Sequence, residues 1–312
     1  MVKKYGVLSD LHEVDIKVVP ITIKLLKDQG VNALVLNGDL FGERSGYKPI
    51  EYFATVLDIA GKSGLDTFVL PGSHESVIEF EGILEVVGSK HSNLLNALEI
   101  PKVEESDGHE LVFLPGSDWR PQLGGYALED KLESGLYQLP KGSHKRVTNM
   151  VDLEKLVTNP DKTIIFSHVP RKFDDVDTCV DMAYFGELTD GSVMPGVVIE
   201  NMIKQSLGKN VTDDQKRLIA AANGVTLKRE NRGNETLRDI YNKLGIKKNV
   251  TGHFHESAHR ANDLDGKHIE EGRLTPILFY NASCMDRLMA GIVTVDGTNV
   301  SYQNVDIRKF LR

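Results

Sequence analysis

Five short β-like runs in this 312-residue chain each lead into a turn that carries aspartate or histidine. This arrangement constrains the fold more than any other feature. Tyr5–Leu8 leads into Ser9-Asp10-Leu11-His12, Ala33–Leu36 into Asn37-Gly38-Asp39, and Thr67–Pro71 into Gly72-Ser73-His74-Glu75. Thr163–Phe166 leads into Ser167-His168, and Lys248–Val250 is followed by Gly252-His253-Phe254-His255. Short apolar runs bounded by turn residues read as buried strands. Open α/β sheets place their sites at the carboxyl ends of such strands. One loop histidine means little, but five strand ends offering Asp or His point to a shared site.

The segments between these strands carry helical periodicity. Ile16–Gln29, Tyr47–Lys62 and Val77–Val87 space their apolar residues along one face, although Gly82 weakens the third. Strands alternating with helices predict an α/β core over residues 1–170. Glu110–Pro115 reads as a further strand, Pro121–Ser143 as a long loop and Asp152–Val157 as a short helix. The small basic cluster Lys141–Arg146 reads as a solvated loop.

Residues 171–247 offer no further pair of ligand-like side chains. Val197–Leu207, Asp213–Asn223 and Glu235–Leu244 read as helices, which makes this stretch an inserted helical cap. The core is expected to resume over 248–312 with Pro276–Tyr280 and a hairpin, Gly291–Val295 and Val300–Val305, turning at Asp296-Gly297.

Composition narrows the function. The chain is 40% hydrophobic, enough for a substantial core, and its net charge of -8 argues against a broad nucleic-acid-binding surface. Cys179 and Cys284 form no zinc or redox spacing and read as buried thiols. The N-terminus enters a strand directly, and no apolar run approaches the ~20 residues a bilayer span requires. No membrane partner and a cytoplasmic location are expected.

In extended backbone, residues two apart face the same side. Asp10 with His12, and His253 with His255, can therefore each address one ion. Imidazole and carboxylate together suit Mn, Fe, Zn or Co better than Ca or Mg. The donor set exceeds what one tetrahedral ion needs, so two ions are the more economical reading.

Asp10-x-His12, Gly38-Asp39, Gly72-Ser73-His74-Glu75, His168 and Gly252-His253-x-His255 together resemble the calcineurin-like metallophosphoesterases, whose pattern is D-x-H, G-D, G-N-H-[D/E], H, G-H-x-H. The resemblance spans roughly residues 5 to 283 apart from the cap. It implies an α/β fold, a β-sandwich flanked by helices (αββα), with a dinuclear site at one edge. By that resemblance Asp10, His12 and His255 hold one ion and Asp39 bridges both. His168 and His253 hold the second together with position 73, and His74 faces the substrate. Glu75 is expected to orient a ligand or backbone group, and Arg171 is a weaker candidate for a phosphate contact.

The implied cofactors are two divalent transition-metal ions, Mn first, with Fe, Zn, Co or Ni as alternatives. The implied partner is a phosphorylated substrate. Monoester, diester and pyrophosphate stay open, because the phosphoryl group is common to all three. Ser73 departs from the pattern, since a serine hydroxyl is a shorter and poorer neutral ligand than an Asn amide oxygen. Retained activity with a weaker second ion is expected. Gly38-Asp39-Leu40-Phe41 also resembles the equivalent turn of the Mre11/SbcD nucleases, which leaves a nuclease as a minority alternative. A non-catalytic metal- or phospholigand-binding module is the rival from another class.

Overall fold

In the computed structural model, residues 2–12, 14–41, 48–118, 125–128, 136–138, 144–196, 198, 199, 203 and 213–311 are described. Most of Pro121–Ser143, residues 141–143 of the basic cluster and most of Val197–Leu207 lie outside them.

Two six-stranded sheets form the core. The first runs in the order Asn299–Asp306, Met289–Asp296, Lys3–Leu8, Ala33–Asn37, Asp66–Leu70, Leu94–Asn96. Lys3–Leu8 through Leu94–Asn96 are parallel to one another, and the C-terminal hairpin adds antiparallel strands at the edge. The second runs Ala261–Asn262, Leu278–Asn281, Lys248–Thr251, Thr163–Ser167, Glu110–Leu114, Lys102–Glu104. Its four central strands are parallel.

Ala33–Asn37, Glu110–Leu114 and Thr163–Ser167 are buried at every position. Parallel strands covered on both faces require continuous apolar sequence, which is how these runs read. Between the sheets, Phe68 stacks on Phe113 at 4.9 Å and Phe113 on Phe166 at 5.9 Å. Tyr5, Val7, Val35, Leu111, Val250 and Tyr280 fill the same layer.

Helices Val18–Asp28, Pro49–Lys62 and Val77–Gly88 bury Leu26, Phe53, Val56 and Phe80 against the outer face of the first sheet. On the other side Leu153–Leu156 and Glu235–Leu244 bury Leu153, Leu237 and Tyr241 beside Val112, Leu114 and Ile165. The result is the expected helix–sheet–sheet–helix sandwich.

The stretch 171–247 differs from the all-helical cap expected. Val193–Pro195, Met182–Leu188 and Val225–Asn231 form a three-stranded antiparallel sheet carrying helix Asp213–Ala222. Val225–Asn231 (VTLKREN) is mostly polar and largely exposed, so apolar alternation could not reveal it. Glu235–Leu244 belongs to the outer layer of the second sheet, capped by Asn234 at its start and by Gly245 at φ 70° at its end. Leu136–Gln138, in the stretch read as a long loop, pairs with His144–Arg146 of the basic cluster read as a solvated loop. Among the described residues no helix is long and apolar enough to cross a membrane.

Register brings the turns together. Leu8 pairs with Leu36 and Leu36 with Val69, so the Asp10, Asp39 and Ser73 turns leave adjacent parallel strands side by side. Phe166 pairs with Val250, which does the same for the His168 and His253 turns on the facing sheet.

Candidate metal centre

Three trios of donor atoms form where these turns meet: Asp10, His12 and His255; His12, Asp39 and His74; and Asp39, His168 and His253. Within each trio every ligand atom lies within 4.8 Å of the others. His255 Nε2 is 3.1 Å from Asp10 Oδ1. Asp39 Oδ2 stands 3.4 Å from His12 Nε2 and 3.0 Å from His168 Nε2. One carboxylate thus joins two histidines carried by opposite sheets.

The backbone at these positions is unusual. Asp10, Asp39 and His253 adopt φ of 57°, 53° and 71°, a left-handed conformation that costs a non-glycine residue free energy. Glycines permit the close approach of the turns. A Cβ on Gly72 would collide with Asp39 and His168, and one on Gly252 with Ser9 and Asp10.

Hydrogen bonds hold the carboxylates in place. Asp39 Oδ1 accepts the amides of Ser73 (2.6 Å) and His74 (3.0 Å), and the Ser73 hydroxyl donates to the same carboxylate at 2.9–3.0 Å. Fully buried Glu75 accepts the amides of Gly72 (2.7 Å), Asp39 (3.2 Å), Leu40 (2.5 Å) and Phe41 (3.3 Å). It clamps one turn onto another and has no place among the donor trios.

The electrostatics follow from burial. Asp10 and Asp39 are 0% and 3% exposed, and an uncompensated carboxylate there would be costly. Burial works to raise both, but His255 beside Asp10 and His168 beside Asp39 hold them well below the usual carboxylate range. Burial likewise opposes charge on the imidazoles. The Asp39 carboxylate outweighs it and lifts His12 to about 10 and His168 to about 9. Burial, reinforced by the His168 charge, brings His253 down to about 3, which makes it a neutral imidazole. Burial and the Asp39 charge push Glu75 upward against the opposing amides of Gly72 and Leu40.

These residues fit divalent cations. His168 Nδ1 donates to the Asn37 carbonyl at 3.0 Å, which leaves Nε2 facing Asp39 Oδ2. Among the described residues no hydrogen bond reaches buried His12 Nδ1, and buried His168 Nε2 faces only the Asp39 carboxylate, 3.0 Å away. A lone pair so close to a carboxylate requires positive charge between them, as a proton or as a metal ion. Nitrogen and carboxylate donors without thiolate match the transition-metal expectation.

Arg171 requires correction. It is 5% exposed, its guanidinium lies 4.4 Å from the Phe173 ring centre and 5.1 Å from that of Phe279, and Nη1 donates to Asn242 Oδ1 at 3.1 Å. A planar cation stacked on two rings behind the second sheet serves packing, not phosphate binding.

The polar turn at Asn281-Ala282-Ser283 supports the site. Asn281 Nδ2 donates to Phe254 O at 2.9 Å and so braces the turn that carries His253 and His255. Asp286 was not anticipated. Its Oδ2 lies 3.8 Å from His255 Nδ1, and its amide donates to Asp10 O at 3.2 Å. It sits in a single turn of 3-10 helix outside every strand-end motif, so no sequence signal marked it.

The sequence matches the family described as calcineurin-like phosphoesterase over residues 3–257. No curated protein matches it. Among solved structures it is similar to TT1561 of Thermus thermophilus, with TM-score 0.54 and 11% identity over 99% of this chain and 100% of that one. A second structure is similar with TM-score 0.55 and 12% identity over 97% and 99% of the respective chains. At such identity these likenesses establish the fold. With the family match spanning most of its length, the chain belongs to the calcineurin-like phosphoesterases, a family of metal-dependent phosphoesterases.

Proposed function

We propose that this chain hydrolyses a phosphate monoester or diester at a dinuclear centre, with manganese as the preferred metal. The observation that carries this is Asp39 Oδ2 lying within 3.4 Å of imidazole nitrogens from both sheets, with a separate donor trio on either side. In this reading Asp10, His12, Asp39 and His255 hold one ion, and Asp39, His168 and His253 hold the other. Ser73 spends its hydroxyl on Asp39 and contributes little to the second ion directly. Bound divalent ions would lower the pKa of an attacking water and neutralise the charge on the phosphoryl oxygens.

The remaining chemistry belongs to the chain. His74 is only partly buried, its ring centre is 4.4 Å from that of His12, and its amide is fixed to Asp39. It can meet a phosphoryl oxygen at Nδ1 or Nε2 and pass a proton to the departing oxygen. Glu75 and the Asp39 turn hold that geometry while the substrate exchanges.

The test is Mn-supplemented hydrolysis of p-nitrophenyl phosphate, its bis ester, cyclic nucleotides and single-stranded DNA. Wild-type protein should cleave at least one of the esters. His74→Ala should lower kcat by about 10²–10⁴ with metal content unchanged. Absence of Mn-dependent hydrolysis, or full activity in His74→Ala, would remove the proposal. Cleavage of DNA alone would favour a nuclease.

A further inference from the structure

We propose that Asp286 is a positioning residue of this centre, holding the His255 imidazole from the side opposite Asp10; this rests on the metal-binding reading given above. The ring of His255 lies between two carboxylates, with Nε2 3.1 Å from Asp10 Oδ1 and Nδ1 3.8 Å from Asp286 Oδ2. An imidazole that ligates through one nitrogen keeps its proton on the other. A carboxylate at ion-pair distance on that side favours the tautomer protonated at Nδ1 and makes the imidazole a stronger electron-pair donor.

The placement of Asp286 is built into the backbone. The Met285 amide donates to Ser9 O at 3.0 Å and the Asp286 amide to Asp10 O at 3.2 Å. The segment bearing Asp286 is thus fastened to the turn bearing Asp10, which places their carboxylates on either side of the His255 ring. The Asp286 side chain is 13% exposed, so its charge is weakly screened. It stands outside all three donor trios, which makes it a group acting through His255 and not a ligand.

The experiment is Mn titration by calorimetry of the metal-stripped full-length protein, with metal content at saturation measured by elemental analysis. Asp286→Asn keeps the shape and removes the charge. It should weaken Mn binding about tenfold or more, with the saturating stoichiometry and the unfolding midpoint of the metal-stripped protein unchanged. Asp286→Glu retains the charge and should bind within about threefold of wild type.

Unchanged affinity in Asp286→Asn overturns the inference. So does the loss of one ion at saturation, which would make Asp286 a ligand, or an equal loss of affinity in Asp286→Glu. If Asp286→Asn does not fold, the Glu variant decides: near-wild-type affinity supports the inference and a tenfold loss overturns it. Wild-type protein that takes up no Mn overturns this inference and the proposed function together. Normal Mn binding without ester hydrolysis overturns the function alone.

Discussion

The Glu75 carboxylate accepts the backbone amide of Asp39 at 3.2 Å, so the turn after the third strand grips the turn after the second. Gly72, Leu40 and Phe41 amides converge on the same side chain, and both of its oxygens are taken. Gln at this position would turn an NH₂ group toward backbone N–H groups and leave buried donors without an acceptor. Glu75→Gln is expected to destabilise the fold by about 1–3 kcal/mol, read as a shifted urea midpoint with unchanged m-value. An unshifted midpoint would show that the clamp is not needed.

Ser73 stands where the family pattern carries Asn. Its hydroxyl donates to both oxygens of Asp39, and in the proposed dinuclear centre this would leave the second ion with fewer protein donors than the first. Ser73→Asn, with a longer arm and a carbonyl oxygen, should raise affinity for the second Mn on the order of tenfold and increase turnover. Metal stoichiometry at limiting Mn measures this directly. Identical stoichiometry and rate in the two proteins would count against it.

Glu110 gives the fold an acid-sensitive joint away from the site. Burial alone would raise its pKa, but Lys102 Nζ at 2.8 Å and the Thr158 and Thr163 hydroxyls outweigh that and bring it down to about 2 from an ordinary 4.5. A carboxyl depressed in the folded state contributes stability that is complete above about 4.5 and is lost as pH falls toward about 2. The contribution amounts to roughly 3 kcal/mol at most. Denaturation at pH 6, 4 and 3 should show wild type weakening steadily and Glu110→Gln losing less over the same window, the remainder coming from other depressed carboxylates such as Asp10 and Asp39. Parallel curves would refute the assignment.

How much of this was legible in the sequence depended on the range of the interaction. Val77–Gly88 and Glu235–Leu244 were readable because helix periodicity and capping are local. The same holds for the C-terminal hairpin, where Gly297 at φ 62° opens a two-residue turn. Polar strand Val225–Asn231 was not, because it is held by pairing with Met182–Leu188 and not by its own pattern. Arg171 misled for a related reason: an arginine beside a histidine looks like a phosphate contact until Phe279 arrives from elsewhere in the chain to join the neighbouring Phe173 ring over its guanidinium.

The ordered residues Asp10, His12, Asp39, His74, His168, His253 and His255 were enough, by themselves, to determine the donor chemistry and the strand ends that present it. Residue type sets what a side chain can bind, and a strand running into a turn sets which way it projects. Only the tertiary structure decided that Asp39 meets histidines of both sheets, that Ser73 turns toward Asp39, and that Asp286 stands behind His255. Those relations depend on sheet register and on loops far apart in the chain, where a one-residue slip of a strand would turn the side chains it presents to the opposite face.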